Sequence, residues 1–281
     1  MTVVVIGDAL VDEMRDEHGS VDAPGGSALN VAVGLAILGL PAQLIAMFSD
    51  DADGRVLADH LARYGVEAMP SPSPLGTGRA VSDRSAGEPR YTFSEAAVAR
   101  ELRFTSEMRA AIAAADLVVL SGFPFDHHEQ FEQLIEVVAG STLLLDPNPR
   151  QGLLHDRDRF AANLEHIAPT LRLLKLGAED ARLLYDAPLD EVVAHFTPHT
   201  TVLATAGAAG ATVFEHGVVA SRPISKARGP VVDTMGAGDA TFASVIASLS
   251  EGEADWGTVL DRAMAIAAAT VRHHGGLLRV P

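Results

Sequence analysis

The chain has 281 residues, 48% of them hydrophobic, and no cysteine, so it can bury a sizeable core as one large α/β domain, with or without a small appendage, and is not a disordered chain. A formal net charge of −16 repels phosphate backbones and anionic lipid, which turns the expectation to small-molecule chemistry with no nucleic-acid and no membrane partner. The lack of cysteine excludes disulfides, thiol catalysis and cysteine-bound metal and suits a reducing compartment.

The first residues, MTVVVIGDAL, hold a four-residue apolar run before an acid and no basic or long apolar leader, which predicts a strand over 3–6 and no signal peptide. A polar stretch over 10–21 with a turn at Gly19 follows, then PGGSALN and a helix dense in small residues. Further strands are predicted over 44–48, 117–120, 142–145, 171–176 and 201–204, with amphipathic helices such as 53–64 and 129–138 between them. This alternation implies βαβ units around a buried, mostly parallel sheet, with ligands at the carboxyl ends of its strands. Residues 70–102 break the rhythm with Pro, Ser and Gly. Two brief alternating segments, 79–83 and 90–94, flank a turn at 85–87, and they read as a hairpin lid or as a long surface linker. Arg79, Arg84, Arg90 and Tyr91 are the side chains there that could reach a ligand. No run of about 18 apolar residues is present, and a soluble, cytoplasmic protein is expected.

The stretch DTMGAGDATF, residues 233–242, sets two glycines before a helical run. A helix starting near Gly238 would leave its first N–H groups free for an anion, glycines would let a phosphate approach, and Asp239 in the first turn could take a proton from an attacking hydroxyl. An ordinary acidic first turn is the plainer reading of these residues alone. Gly25 and Gly26 again allow close approach, and Asn30 offers a donor and an acceptor to a polyol. Thr205, Gly207 and Gly210 follow a strand and suit a nucleotide lying across its end. DPNPR, residues 146–150, ends another strand and delivers Arg150, whose planar fork matches phosphate oxygens.

In this order these four stretches resemble the ribokinase-like (PfkB-type) carbohydrate kinases over nearly the whole chain; DTMGAGD matches the family's DTxGAGD. The resemblance implies a three-layer α/β/α sandwich with a mostly parallel central sheet, as a single domain over 1–281 with a discontinuous β-lid near 10–21 and 74–98. It implies ATP-dependent phosphorylation of a sugar hydroxyl, Mg²⁺ travelling with ATP, possible K⁺, and a homodimer through the lid. Asp239 falls on the catalytic base, with the N–H groups of Gly236, Ala237 and Gly238 on the anion hole. Asp12, Gly25, Gly26 and Asn30 fall on sugar-contacting positions. Thr205, Gly207 and Gly210 fall on the nucleotide side, with His274 near the adenine pocket, and Asp233 and Met235 on a monovalent-cation site. GGSALN and DPNPR are similar to the fructokinase and 2-keto-3-deoxygluconate kinase branch rather than to the ribokinase GGKGAN, which makes fructose the first choice of acceptor. The family's NxxE motif falls on residues 177–180, where glycine replaces asparagine and Asp180 replaces glutamate. Glu179 or Asp180 would then hold a metal-bound water, and altered Mg²⁺ dependence is expected.

Other signals read more plainly. Asp126 to Glu129 is expected to be a capping box with Asp126 as N-cap, and His273 and His274 to close a helix. A nicotinamide enzyme would need GxGxxG after the first strand, and a P-loop kinase GxxxxGK[ST]; the chain has neither. A non-catalytic sugar or nucleotide sensor on the same fold is the alternative of a different class.

Overall fold

The computed structural model describes residues 1–17, 19–83 and 90–281. In chain order it runs β1 (Val3–Gly7), β2 (Leu10–Asp16), β3 (Gly19–Gly25), α1 (Ser27–Ile37), β4 (Ala42–Ala46), α2 (Ala52–Arg63), β5 (Glu67–Pro70), β6 (Arg79–Asp83), β7 (Arg90–Phe93) and α3 (Glu95–Ala99). It continues through α4 (Ser106–Ala114), β8 (Leu117–Ser121), α5 (His128–Val137), β9 (Leu143–Asp146), α6 (Arg157–Ile167), β10 (Leu171–Gly177), α7 (Ala178–Tyr185) and α8 (Leu189–Phe196). The last elements are β11 (Thr201–Thr205), β12 (Ala211–Phe214), β13 (Val218–Arg222), α9 (Ala237–Ser250) and α10 (Trp256–Thr270).

Two sheets form. The larger has the order β13-β12-β11-β10-β9-β8-β1-β4-β5, parallel except where β12 and β13 turn back at one edge. Its central strands are buried on both faces, as the unbroken apolar runs VVVI and LVVL require. Alternate side chains of β1 serve different cores. Val3 and Val5 pack with α1, α9 and α10, while Val4 and Ile6 pack with α4, α5 and α6. The three-layer sandwich follows from that period of two.

The smaller sheet, β3-β2-β6-β7, is the expected lid, and its first hairpin is longer than the reading of 10–21. Pro24 and Gly25 belong to β3, paired with Val11 and Leu10, so the first glycine pair ends a lid strand and opens α1. The second lid piece is β6 and β7, joined antiparallel; Arg84 and the turn at 85–87 lie outside the described residues.

Half of the described α-helices start on a side-chain cap: Asp51 accepts from Gly54 N–H, Ser94 from Ala97 N–H, Thr105 from Met108 N–H, Asp156 from Arg159 N–H and Asp255 from Thr258 N–H. α1 and α9 begin instead on Gly26 and Gly236, with no side-chain cap. Asp126 is not the N-cap of α5. His127 occupies that position, and the buried Asp126 carboxylate accepts from the backbone N–H groups of His155 and Asp156 at 2.6 and 3.4 Å. A neighbouring loop outcompetes the local cap because it brings two donors. α10 ends at Thr270, so His273 and His274 stand beyond the helix they were expected to close.

Candidate active site

Asp239 is the third residue of α9, 8% exposed. Asn30 of α1 donates from Nδ2 to its Oδ2 at 2.8 Å, and the Ser27 hydroxyl donates to Oδ1 at 3.0 Å. Ser27 is in turn hydrogen-bonded to the Ser121 hydroxyl at the end of β8. Burial, then the Asp146 charge, push the Asp239 carboxyl up to about 6, against the opposing pull of Asn30, Lys175 and Arg150. Such a group is ionised at neutral pH yet keeps affinity for a proton.

Gly236, at φ +72°, starts the helix; a Cβ there would stand 2.4 Å from Gly276 O. Glycine is required by both the conformation and the contact. Beneath this turn lies a charge that sequence reasoning passed over. Lys175 Nζ is 3.4 Å from where a Cβ on Gly238 would stand, and it donates to Asp146 Oδ2 at 2.7 Å with both side chains buried. Burial disfavours the ammonium, but Asp146, Asp180 and Asp239 outweigh it, and its pKa is raised. The available signal was a lysine inside the Leu-rich LRLLKLG, a place where an unpaired charge is rare.

The first glycine pair meets the same centre. A Cβ on Gly25 would overlap Asp12 Oδ2 at 1.9 Å, so the glycine makes room for that carboxylate. Burial first and Asp8 second raise Asp12 to about 7, with Arg150 opposing. Arg150 is half-exposed, 3.7 Å from Glu179, and within electrostatic reach of Asp239, Asp180 and Asp8. Arg79 is not free to reach a ligand: it donates to Asp53 at 2.6 Å, to Glu13 at 3.0 Å and to Asp22.

The remaining positions fall on two sides. Thr205 ends β11 in register with Gly177 at the end of β10, and Gly207 to Gly210 form the turn into β12. His274 lines a pocket with Asn30, His60 and Gly276, beside the lid strand β3 and α1, so its neighbours belong to the side of Asn30. Asp180 Oδ2 accepts from Gly177 N–H at 2.7 Å and is buried, which makes it a helix cap; Glu179 faces outward. Asp233 accepts from Met235 N–H and Gly275 N–H, both at 3.1 Å. Among the described residues no cluster of three or more metal-ligating side chains occurs, and no helix is long and apolar enough to cross a membrane.

A wide sandwich, a small sheet and a buried carboxylate in the first turn of an uncapped, glycine-started helix together suit a small-molecule kinase. The chain belongs to the pfkB family of carbohydrate kinases, whose model matches residues 2–281. It is 33% identical to a fructokinase of Klebsiella pneumoniae across 88% of this chain and 83% of that one, and 28% identical to a fructokinase of Rhizobium leguminosarum bv. trifolii across 88% and 79%. In fold it is similar to the ATP-bound fructokinase of Xylella fastidiosa, at a TM-score of 0.82 and 20% identity, covering 98% of this chain and 93% of that one.

Proposed function

We propose that this kinase transfers the γ-phosphoryl group of ATP to a hydroxyl of a small sugar, with fructose as the first acceptor. The observation that carries the reading is Asp239, buried, oriented by Asn30 and Ser27, and set in the first turn of a helix with no capping side chain. Fructose is supported by the fructokinase relatives at 28% and 33% identity and by the GGSALN and DPNPR stretches; ATP is supported by the nucleotide in the Xylella neighbour.

In this mechanism Asp239 Oδ accepts the proton of the acceptor hydroxyl as that oxygen attacks the phosphorus. The N–H groups of Gly236 and Gly238 donate to the phosphoryl oxygens, joined by that of Ala237 if it exchanges its 3.3 Å bond to Thr234 O for phosphate, and Arg150 adds positive charge. Asp12 and Asn30, with the backbone at Gly25 and Gly26, hold the sugar. Thr205, Gly207 and Gly210 bound the nucleotide, and the geometry around His274 favours the acceptor side for that residue. The outward carboxylate of Glu179 suits a magnesium-bound water, whereas Asp180 is committed to Gly177 N–H. Magnesium, when bound, neutralises the phosphate charge. Each Asp233 oxygen accepts one amide and retains a lone pair for a monovalent cation shared with the Met235 carbonyl.

The test is ADP release with MgATP and a panel of fructose, ribose, 2-keto-3-deoxygluconate, glucose and nucleosides, beside Asp239→Asn. Turnover on one sugar, lost in the variant, is expected. Silence across the panel with nucleotide still bound would favour the sensor reading.

A further inference from the structure

Arg100 caps the carboxyl end of α3, the short helix that follows lid strand β7, in the left-handed conformation at φ +39°, which a side chain makes costly. That backbone lets the guanidinium join two loops. Nη1 donates to Gly122 O, after β8, at 3.3 Å, and Nη2 donates to Leu153 O, after β9, at 3.1 Å. Asp8 and Asp126 attract the charge without a hydrogen bond to it, and Nε is buried without a partner. A buried cation bonded to carbonyls alone is a costly link between loops, so the geometry of its planar fork must matter.

The Leu153 end of this clamp belongs to the loop that carries Arg150. Leu153 and Leu154 N–H both donate to Arg150 O, at 2.8 and 3.0 Å, closing a turn on that residue. A second contact reaches the same turn from the lid. A Cβ on Gly152 would stand 2.6 Å from the Phe93 ring, so the last residue of β7 lies against the backbone between Arg150 and Leu153. Both contacts come from one piece, because Ser94 Oγ accepts from Arg79 N–H of β6 at 2.9 Å and from Ala97 N–H of α3 at 3.2 Å. The Arg150 side chain itself is half-exposed, with one ion pair at 3.7 Å, a contact too weak to fix a long side chain. Its placement therefore depends on the turn beneath it. We infer that Arg100 and Phe93 are positioning residues for Arg150, so that the seating of the lid on this turn sets how well the guanidinium meets the transferring phosphoryl group. The inference rests on the sugar-kinase reading above.

The experiment is a double-mutant cycle on kcat with the sugar that the panel selects. Arg100→Met, Arg100→Lys and Phe93→Leu are each expected to lower kcat by about 10-fold with the KM of the sugar changed less. In an Arg150→Met background the same substitutions should change kcat by less than about twofold, because the group they act through is gone. Effects that multiply in full across the cycle would show that Arg100 and Phe93 act independently of Arg150, and the inference would be wrong. Phe93→Leu removes no buried charge and keeps the cycle available if the Arg100 variants do not fold. A second readout needs no substrate. The Arg150 Nε–H resonance, assigned by its loss in Arg150→Met, should move toward that of an unstructured arginine in Arg100→Met and in Phe93→Leu. An unmoved resonance overturns the inference whatever the turnover. A moved resonance in a protein that phosphorylates no sugar sinks the kinase reading and leaves the positioning of Arg150 standing.

Discussion

At the scale of single residues, the charges around α9 govern chemistry and stability in opposite senses. Asp239→Asn keeps an oxygen for Asn30 and an amide for Ser27, so kcat should fall by about 10²- to 10⁴-fold with both KM values little changed. Wild-type kcat/KM should fall as pH drops below about 6, where the carboxylate becomes protonated. Stability runs the other way. A carboxyl whose folded pKa is raised stabilises the fold while protonated and loses that contribution as pH rises through about 6. Asp239→Asn should therefore unfold at a higher temperature than wild type at pH 7.5, by up to about 3 kcal/mol, with a smaller gain at pH 5. Calorimetry at the two pH values checks the sign. Lys175→Met should act differently, because it strands Asp146, whose Oδ1 already lacks a partner. A loss of about 3–5 kcal/mol is expected in urea unfolding, partly recovered in the double variant with Asp146→Asn.

At the scale of elements, Arg79 joins the smaller sheet to the body by charge. Arg79 on β6 binds Glu13 of β2 and Asp22 of β3 within the lid, and Asp53 of α2 outside it. Three carboxylates share one planar fork, a geometry that a lysine point charge does not reproduce. Arg79→Lys and Arg79→Gln should both raise the acceptor KM several-fold while kcat changes less, and steady-state kinetics with the sugar varied would show it. An unchanged acceptor KM in both variants would mean that this ion cluster does not hold the lid over the sugar.

At the scale of the whole molecule, the proposed acceptor and nucleotide positions lie on different element sets. The proposed acceptor positions come from β2, β3 and α1, and the proposed nucleotide positions from the end of β11 and the turn into β12. Binding at both sides should stabilise the fold by mass action, about 2.7 kcal/mol for each ligand at a hundredfold excess over its Kd. A thermal scan with the sugar, with MgATP and with a non-hydrolysable analogue plus sugar should show the largest rise for the pair.

The amino-acid order alone was sufficient for the central strands, because a strand buried on both faces must be written as an unbroken apolar run, as in VVVI and LVVL. It also marked the glycines at the start of α9, although those residues alone read equally well as an ordinary acidic first turn. It was silent on β12 and β13, the partly exposed edge strand and its neighbour, which have little apolar continuity. Asp126 was misread because a cap is a local contest that the loop at His155 entered from 29 residues away. Lys175 became meaningful only once folded. A charge's role depends on what surrounds it, and Asp146, against which Lys175 is buried, lies on another strand 29 residues away. Periodicity and local chemistry are written along the chain; burial, charge pairing and the shape of a cavity arise only when the layers close.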